Sequence, residues 1–308
     1  MLWNILEKCS LCPRNCNSNR FSKKLGYCNT DANFNIASIC LHKGEEPVLG
    51  GEKGICNIFF SHCNMQCIYC QNIQISRNIG EVVLYKFTLE EVIKRILSIL
   101  DQGIDTIGFV SPSHNIPQVA RIINELKKIG KHPTIVYNTN AYDKAGTLRM
   151  IEGLIDVYLP DFKYIDNKTA KEYSDAPDYP DAAKKAIKEM HYQKGSSLRL
   201  DDNGVCRSGI IIRHLVLPNH VSESLKILEY IAYELSPNIH ISIMSQYFPI
   251  KNVENHPILK RNITKDEYEK LILKIDELGF SNGWIQDMHS PSYYLPDFKR
   301  DEPFQVVF

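Results

Sequence analysis

Short apolar runs alternate with amphipathic segments along most of the chain. The apolar runs are typical of strands buried on both faces, whereas the amphipathic segments repeat apolar residues at helical spacing. The pattern predicts strands over residues 55–60, 104–110, 134–137, 155–159, 209–217 and 240–244. It predicts helices over residues 88–100, 117–129, 144–152, 180–192, 222–235 and 264–278. Thr88 with Glu91, and Thr264 with Glu267, predict capping boxes at two of these helices.

This alternation predicts the fold class. Strands that are apolar on both faces and are each followed by a helix favour an α/β protein with a parallel sheet covered by helices. About six such units are visible, fewer than the eight of a closed barrel. We therefore expect a partial, open (β/α)6 barrel, with its chemistry at the carboxyl ends of the strands.

The same pattern divides the chain into three parts. Residues 1–50 are expected to form a cysteine-rich, metal-binding N-terminal module, and residues 51–290 the barrel. Residues 291–308 are expected to form a C-terminal tail that packs on the barrel. The charged stretch 163–194 is most simply a solvated helical face.

Size and charge narrow the function class. The chain has 308 residues, 44% of them hydrophobic, which is enough for one large core. Its 36 basic and 36 acidic residues balance, so there is no general electrostatic reason to expect a nucleic-acid partner. The start of the chain is a poor signal peptide, and no segment approaches the roughly 20 apolar residues that span a bilayer. We expect a soluble, cytoplasmic protein without a membrane partner.

The ten cysteines indicate metal or redox chemistry, because the cytosol keeps thiols reduced. Cys63, Cys67 and Cys70 follow the first predicted strand with the spacing Cys-x3-Cys-x2-Cys. They supply three thiolates where a cubane iron–sulfur cluster takes four, and the remaining iron is a Lewis-acidic position for a substrate or cofactor. A zinc ribbon completed by Cys56 or His62 is the alternative, which the position of the motif after a strand disfavours.

A second set of cysteines precedes the barrel with the spacing Cys-x2-Cys-x3-Cys-x11-Cys: Cys9, Cys12, Cys16 and Cys28. Four thiolates make a closed site, which suits tetrahedral zinc and also an auxiliary iron–sulfur cluster with no open iron. The sequence leaves both open. Cys40 or Cys56 could replace one of the four.

The three-cysteine motif, with the aromatic Tyr69 before its last cysteine, resembles that of the radical S-adenosylmethionine (SAM) superfamily. More narrowly, the chain resembles the PflX-type branch related to pyruvate formate-lyase activating enzymes. The segments that carry this resemblance span nearly the whole chain: 9–16, 70–72, 136–139, 158–163, 213–218 and 244–247. The resemblance implies the TIM-like partial barrel that the strand count also favours.

The resemblance implies a radical enzyme. In such enzymes SAM is cleaved reductively at a 4Fe–4S cluster to methionine and a 5′-deoxyadenosyl radical, which abstracts hydrogen from a substrate. Candidate substrates are a glycyl radical enzyme, a peptide or a small metabolite. The implied partners are an electron donor such as flavodoxin or ferredoxin and a protein or peptide substrate. A noncatalytic iron–sulfur electron carrier or metal scaffold is the alternative, disfavoured because it needs neither an open iron nor a cofactor-sized barrel mouth.

Under this resemblance, residues near the cysteines and the strand ends are candidate cofactor contacts: Tyr69, Ser111, Ser113, His114, Asn138, Thr139, Asp161, Lys163, His214 and Gln246. Lys163 could pair with the methionine carboxylate of SAM. Ser111, Ser113 and Asn138 could serve its amino group or ribose.

Several of these residues have a plainer interpretation. Asp161 and Lys163 could form a surface ion pair at a strand end. Arg213 or His214 could be a hydrogen-bonded interior group, because both lie within a strand pattern. Gln246 could only close the rim of the barrel.

Overall fold

The computed structural model describes residues 2–288, 296–300 and 302–304. The strands in this part of the chain are β1 Phe34–His42, β2 Ile55–Phe60, β3 Tyr85–Phe87, β4 Thr106–Val110, β5 Thr134–Thr139, β6 Val157–Pro160, β7 Arg199–Leu200, β8 Cys206–Leu215, β9 His240–Met244 and β10 Gly283–Ile285. The α-helices are α1 Ile73–Ser76, α2 Leu89–Leu100, α3 Ile116–Lys128, α4 Ala145–Arg149, α5 Asn167–Ser174, α6 Tyr179–Lys194, α7 Val221–Glu234 and α8 Lys265–Glu277. Short 3-10 helices cover Leu2–Lys8, Gly51–Lys53, Pro112–His114 and Lys251–Val253.

The strands form one sheet in the order β10-β9-β8-β6-β5-β4-β2-β1-β3, and β7 pairs with β8 at its side. All neighbours from β2 to β10 along this order are parallel. Within the described residues β10 and β3 do not pair with each other, so the sheet stays open. The predicted α/β fold with a partial, open barrel is confirmed. The structure adds a short parallel strand, β10, next to β9, the last of the six predicted strands.

Both predicted capping boxes are present. The Thr88 side chain accepts a hydrogen bond from the backbone of Glu91, and the Glu91 carboxylate accepts one from the backbone of Thr88 at 2.7 Å. Thr264 and Glu267 make the same reciprocal pair at the start of α8. Each box satisfies two backbone donors that a helix start leaves free, which fixes where α2 and α8 begin.

Two features of the fold differ from the prediction. β1 precedes the first predicted strand and pairs antiparallel with β2 and β3. Only a short 3-10 helix and no α-helix connects β1 to β2, so the strand–helix rhythm does not reveal β1. The stretch 163–194 does present exposed charged residues, such as Lys171 and Lys188, but it is not solvated throughout: Tyr164, Tyr173 and Tyr179 are at most 2% exposed. The stretch forms α5 and α6, whose aromatic side chains pack against the barrel core.

The described tail residues pack on β1 and β2, near the end of the sheet opposite β10. Phe298 is buried, and its ring centroid lies 5.1 Å from that of Phe59 in β2. The Phe304 ring lies 4.2 Å from the ring of His42, at the end of β1. No helix in the described part of the chain combines the length and apolarity needed to cross a membrane.

Candidate active site at the barrel mouth

A cavity of about 220 Å³ lies at the carboxyl ends of the parallel strands. Cys63, Cys67 and Cys70 line it from the loop that follows β2. The structure brings seven of the predicted cofactor residues to the same cavity: Tyr69, Ser111, Asn138, Thr139, Asp161, Lys163 and Gln246. This convergence follows from the topology, because the loops after parallel strands meet at one edge of the sheet.

Each of the three thiols accepts a hydrogen bond from a neighbouring side chain. The donor–sulfur distances are 2.9 Å from Ser174 Oγ to Cys67, 3.3 Å from Ser76 Oγ to Cys70 and 3.4 Å from Asn140 Nδ2 to Cys63. Burial raises the pKa of Cys63 to about 12 and that of Cys67 to about 11. In the metal-free chain these two thiols are therefore protonated at neutral pH, and metal binding must release their protons.

A buried network of charges stands beside the thiols. Lys163 Nζ lies 2.8 Å from Asp161 Oδ2, and Arg213 Nε donates to Asp161 Oδ1 at 2.7 Å. Arg213 also donates to Asn138 Oδ1 at 2.7 Å. The side chains of Asp161 and Lys163 are only 16% and 14% exposed, so their interpretation as a surface ion pair is wrong. Burial alone would raise the pKa of Asp161, but Arg213 and Lys163 outweigh it and keep the carboxylate ionised.

The segment after β1 completes this network with two carboxylates that the sequence analysis missed. Glu45 lines the cavity, and its Oε1 accepts from Asn57 Nδ2 at 2.9 Å. Its Oε2 lies 3.4 Å from Arg213 NH1. Glu46 Oε1 lies 3.8 Å from the same nitrogen, and burial raises the pKa of Glu46 to about 7. The only signal in the sequence was a pair of adjacent carboxylates before Pro47, which is common in surface turns as well.

Three predicted cofactor residues lie outside the cavity lining: Ser113, His114 and His214. Their side chains form hydrogen bonds inside the protein. Ser113 Oγ lies 3.0 Å from Thr139 Oγ1, and His114 Nε2 lies 3.0 Å from the Ser61 carbonyl. His214 bonds to the Phe162 carbonyl at 2.7 Å and to Ser224 Oγ at 2.8 Å. Burial is almost complete at all three, which calls for internal partners. His114 Nδ1 is the exception, because this buried atom has no hydrogen-bond partner among the described residues. We correct their assignment from cofactor contacts to structural support, and His214 is the hydrogen-bonded interior group of the alternative interpretation.

Comparison with known proteins gives the family. The radical SAM superfamily profile matches residues 57–197. An uncharacterized protein of Methanocaldococcus jannaschii is 30% identical over 273 residues, which cover 87% of this chain and 74% of that protein. The chain belongs to the radical SAM superfamily.

Comparison with solved structures gives matches with TM-scores below 0.5, which include the following three. The hydrogenase maturase HydG of Carboxydothermus hydrogenoformans matches 73% of this chain with 18% identity and a TM-score of 0.49. SuiB of Streptococcus suis, bound to its precursor peptide SuiA, matches 73% with 12% identity and a TM-score of 0.49. A domain of pyruvate-formate lyase-activating enzyme from Bacteroides vulgatus matches 56% of this chain and 93% of that domain, with 14% identity and a TM-score of 0.40. The chain covers 50% of HydG and 47% of SuiB.

Membership of the radical SAM superfamily implies a 4Fe–4S cluster and SAM, and the residues at the mouth fit both. Within the described parts of the chain, no three His, Cys, Asp or Glu side chains converge on one point as around a single ion. A cluster does not require that convergence, since each thiolate binds a different iron. Cys63, Cys67 and Cys70 line one cavity and accept hydrogen bonds from polar side chains, which suits three irons of a cubane and leaves one iron open.

A chain of hydroxyl groups connects the predicted Tyr69 to this radical SAM motif. Tyr69 and Tyr164 are joined by a hydrogen bond of 2.5 Å between their hydroxyls, and the Tyr164 hydroxyl lies 2.7 Å from Ser174 Oγ. Ser174 in turn donates to Cys67 Sγ. Tyr164 and Ser174 belong to the stretch that was expected to be solvated, so the sequence analysis had no reason to select them.

The second cysteine set surrounds a separate, much smaller cavity of about 10 Å³ lined by Cys9, Cys12, Cys16 and Cys28. Burial, together with a smaller contribution from the three neighbouring thiols, raises the pKa of Cys12 to about 12. Cys40 and Cys56 lie in β1 and β2 instead and do not line this cavity, so the idea that one of them replaces a member of the set is wrong.

Proposed function

We propose that this radical SAM enzyme holds its cluster on Cys63, Cys67 and Cys70 and generates a 5′-deoxyadenosyl radical for hydrogen abstraction. The observation that carries the proposal is the convergence of three thiols and the Asp161–Lys163 pair on one cavity. When bound together, the cluster and SAM supply a one-electron cleavage of the sulfonium carbon–sulfur bond.

The residues of the mouth have separate roles in this proposal. The Lys163 ammonium has three donors, of which one faces Asp161, so donors remain for the methionine carboxylate. Asp161, which Arg213 holds from the other side, fixes the position of Lys163. Ser111 and Asn138 offer a hydroxyl and an amide to the amino group or the ribose.

Other predicted residues support the walls. Thr139 Oγ1 donates to Asp143 Oδ2 at 2.5 Å, so the Thr139 hydroxyl orders the end of β5 instead of binding the cofactor. Gln246 Oε1 accepts from Gln286 Nε2 at 3.0 Å, which closes the rim next to β9. Tyr69 provides an aromatic wall whose hydroxyl is already bonded to Tyr164.

The experiment compares the wild-type protein with Cys63→Ala/Cys67→Ala/Cys70→Ala, both purified without oxygen. Each is analysed for iron and sulfide and assayed with dithionite and SAM for 5′-deoxyadenosine. We expect cluster iron and product in the wild type, and the loss of both in the variant. The matched control is Cys206→Ala, which removes a buried thiol that lines neither cysteine cavity and should retain iron and product. Reduction of iron without 5′-deoxyadenosine in the wild type would identify an electron carrier and end the proposal.

For the substrate, we propose a protein or peptide hydrogen donor, with a glycyl radical enzyme as the first candidate. The support for this choice is the resemblance of the cysteine and strand-end motifs to the activating enzymes. The test incubates the reduced enzyme and SAM with a candidate glycyl radical enzyme and follows the glycyl radical by electron paramagnetic resonance. Formation of 5′-deoxyadenosine without that signal would reject this partner and direct the search to peptides and small metabolites.

A further inference from the structure

We propose that Cys9, Cys12, Cys16 and Cys28 bind one structural zinc ion, and that this ion fixes Arg14 against the loop that carries Cys63. The site lies outside the radical chemistry proposed above and does not depend on it. It assigns a function to the cysteines that the barrel mouth does not use.

The size of the cavity distinguishes an ion from a cluster. The four thiols enclose about 10 Å³, which is roughly the space that one water molecule needs. In this structure the four thiols line one cavity but do not yet converge on a single point, so zinc binding has to draw them inward to the Zn–S distance of about 2.3 Å. A cubane cluster has eight iron and sulfur atoms, so it would have to push the four chain segments apart.

The charges around the cavity match the product of zinc binding. Zn²⁺ and four thiols give a tetrathiolate site with a net charge of −2 and release four protons, without any redox step. Arg14 and Arg20 line the same cavity, and its lining contains no carboxylate. Among the described residues, the buried Arg14 NH2 atom has no hydrogen-bond partner. Four thiolates in the same lining would place negative charge beside this cation, which four neutral thiols do not.

The backbone is also built close around the thiols. The amide of Tyr27 donates to Cys16 Sγ at 3.3 Å. A Cβ atom at Gly26 would lie 2.8 Å from Cys16 Cβ and 2.7 Å from Ser18 Oγ, so no larger residue fits there. Backbone donors and tight packing of this kind orient the ligands of structural metal sites.

Arg14 connects the zinc site to the barrel mouth. It lies between Cys12 and Cys16 in the chain, and its Nε donates to the carbonyl of Asn64 at 2.9 Å. Asn64 directly follows Cys63, and the Asn140 amide donates to both the Asn64 side chain and Cys63 Sγ. A metal ion that holds both sides of Arg14 therefore holds the backbone next to the first cysteine of the radical SAM motif.

The test uses the full-length chain with Cys63→Ala/Cys67→Ala/Cys70→Ala as background, so that iron at the mouth does not contribute. We expect about one zinc per chain, without iron or sulfide, by elemental analysis of protein from cells supplied with both metals. Cys12→Ser/Cys28→Ser in this background should lose the zinc, whereas Cys206→Ala should retain it. Iron with sulfide in the background protein would assign an auxiliary cluster and overturn the proposal, as would zinc that persists in Cys12→Ser/Cys28→Ser.

Two further measurements keep the proposal testable if the cysteine variants do not fold. Replacement of zinc by Co²⁺ in the background protein should give the absorption of a tetrahedral tetrathiolate site, and an octahedral spectrum would contradict it. Arg14→Met keeps all four ligands, so the zinc content should stay at about one. Hydrogen exchange of the amides at residues 63–66 should become faster in Arg14→Met, and unchanged exchange would show that Arg14 does not transmit the effect of the site.

Discussion

The two cysteine sites of this chain differ more in their surroundings than in their ligands. At the barrel mouth three thiols share a cavity of about 220 Å³ with acidic and basic side chains. In the N-terminal module four thiols enclose about 10 Å³, and the ionised side chains in that lining are both arginines. A large cavity with charges of both signs suits a zwitterionic cofactor that enters and leaves. A small cavity with only cations suits a permanent anionic metal centre.

The difference shows how a protein separates a reactive metal site from a structural one. A missing fourth ligand is useful only where the fold leaves room for a cofactor, and the carboxyl ends of the parallel strands provide this room. Four protein ligands leave no open position on a metal ion, which suits a site without space for a cofactor, as between the loops of the N-terminal module. The following changes test this contrast.

The largest expected effects come from removing one thiol at each site. Cys70→Ala should abolish 5′-deoxyadenosine formation and leave the zinc content unchanged. Cys12→Ser should lose zinc and lower the free energy of unfolding by at least about 3 kcal/mol, because the binding free energy of structural zinc contributes to folding. Elemental analysis, product analysis and urea unfolding of iron-free protein measure these outcomes.

The two variants would contradict the separation of a reactive from a structural site if either one changed the property assigned to the other site. Loss of zinc in Cys70→Ala would mean that the two sites are not separate in function. Normal stability in Cys12→Ser would mean that the N-terminal site does not stabilise the fold. Cys206→Ala is the control for removing a buried thiol as such, and it should leave both zinc and product in place.

Next in size is the loss of the carboxylate at the centre of the mouth. Asp161→Asn leaves the buried cations Lys163 and Arg213 without their shared anion, so we expect the free energy of unfolding to fall by about 3–5 kcal/mol. The control is Asp105→Asn, which removes a 57% exposed partner of Arg207 and should cost less than about 1 kcal/mol. Equal losses in urea unfolding would show that the Asp161 pair behaves like a surface pair.

The sequence predicted the parts of this molecule that depend on local chemistry. Strand runs that are apolar on both faces located the parallel strands, and the Thr88–Glu91 pair located the start of α2. The spacing of Cys63, Cys67 and Cys70 likewise identified the loop after β2 as the one that carries the candidate cluster ligands. In each case residues within a few positions of one another determine the feature.

The missed parts depend on contacts between distant segments. Glu45 joins the site by meeting Arg213, which lies 168 positions later in the chain. Ser174 meets Cys67 across 107 positions, from a stretch whose charges suggested a solvated face. His114 and Ser113 follow a strand as the cofactor residues do, but their side chains turn to internal partners, and no local pattern separates the two cases.

A smaller effect, on the midpoint potential of the cluster, is expected from removing the Ser174 hydroxyl, which donates a hydrogen bond to Cys67. Ser174 Oγ donates to Cys67 Sγ at 2.9 Å, and a donor to sulfur stabilises the more negative, reduced state of a cluster. A difference of about 1 kcal/mol between the two states corresponds to about 40 mV for one electron. Ser174→Ala should therefore lower the midpoint potential by about this amount in a titration followed by electron paramagnetic resonance.

The longer bond from Ser76 to Cys70, at 3.3 Å, provides an internal comparison. Ser76→Ala should shift the potential in the same direction by less than Ser174→Ala does. A rise of the potential in Ser174→Ala, or identical shifts in both variants, would contradict a role of these hydrogen bonds in setting the potential.

The smallest expected effect is a change in how stability depends on pH. Burial, with a smaller contribution from Glu45, raises the pKa of Glu46 from 4.5 to about 7 against the opposing effect of Arg213. Between about pH 4.5 and pH 7 the folded chain thus binds more protons at Glu46 than the unfolded chain does, so this group stabilises the fold at low pH and its contribution is lost as pH rises through 7. In Glu46→Gln this contribution is absent, and the free energy of unfolding should fall less between pH 5 and pH 8 than in the wild type. Urea unfolding across this range measures the difference, and parallel curves for the two proteins would mean that Glu46 titrates normally and does not share the buried network with Arg213.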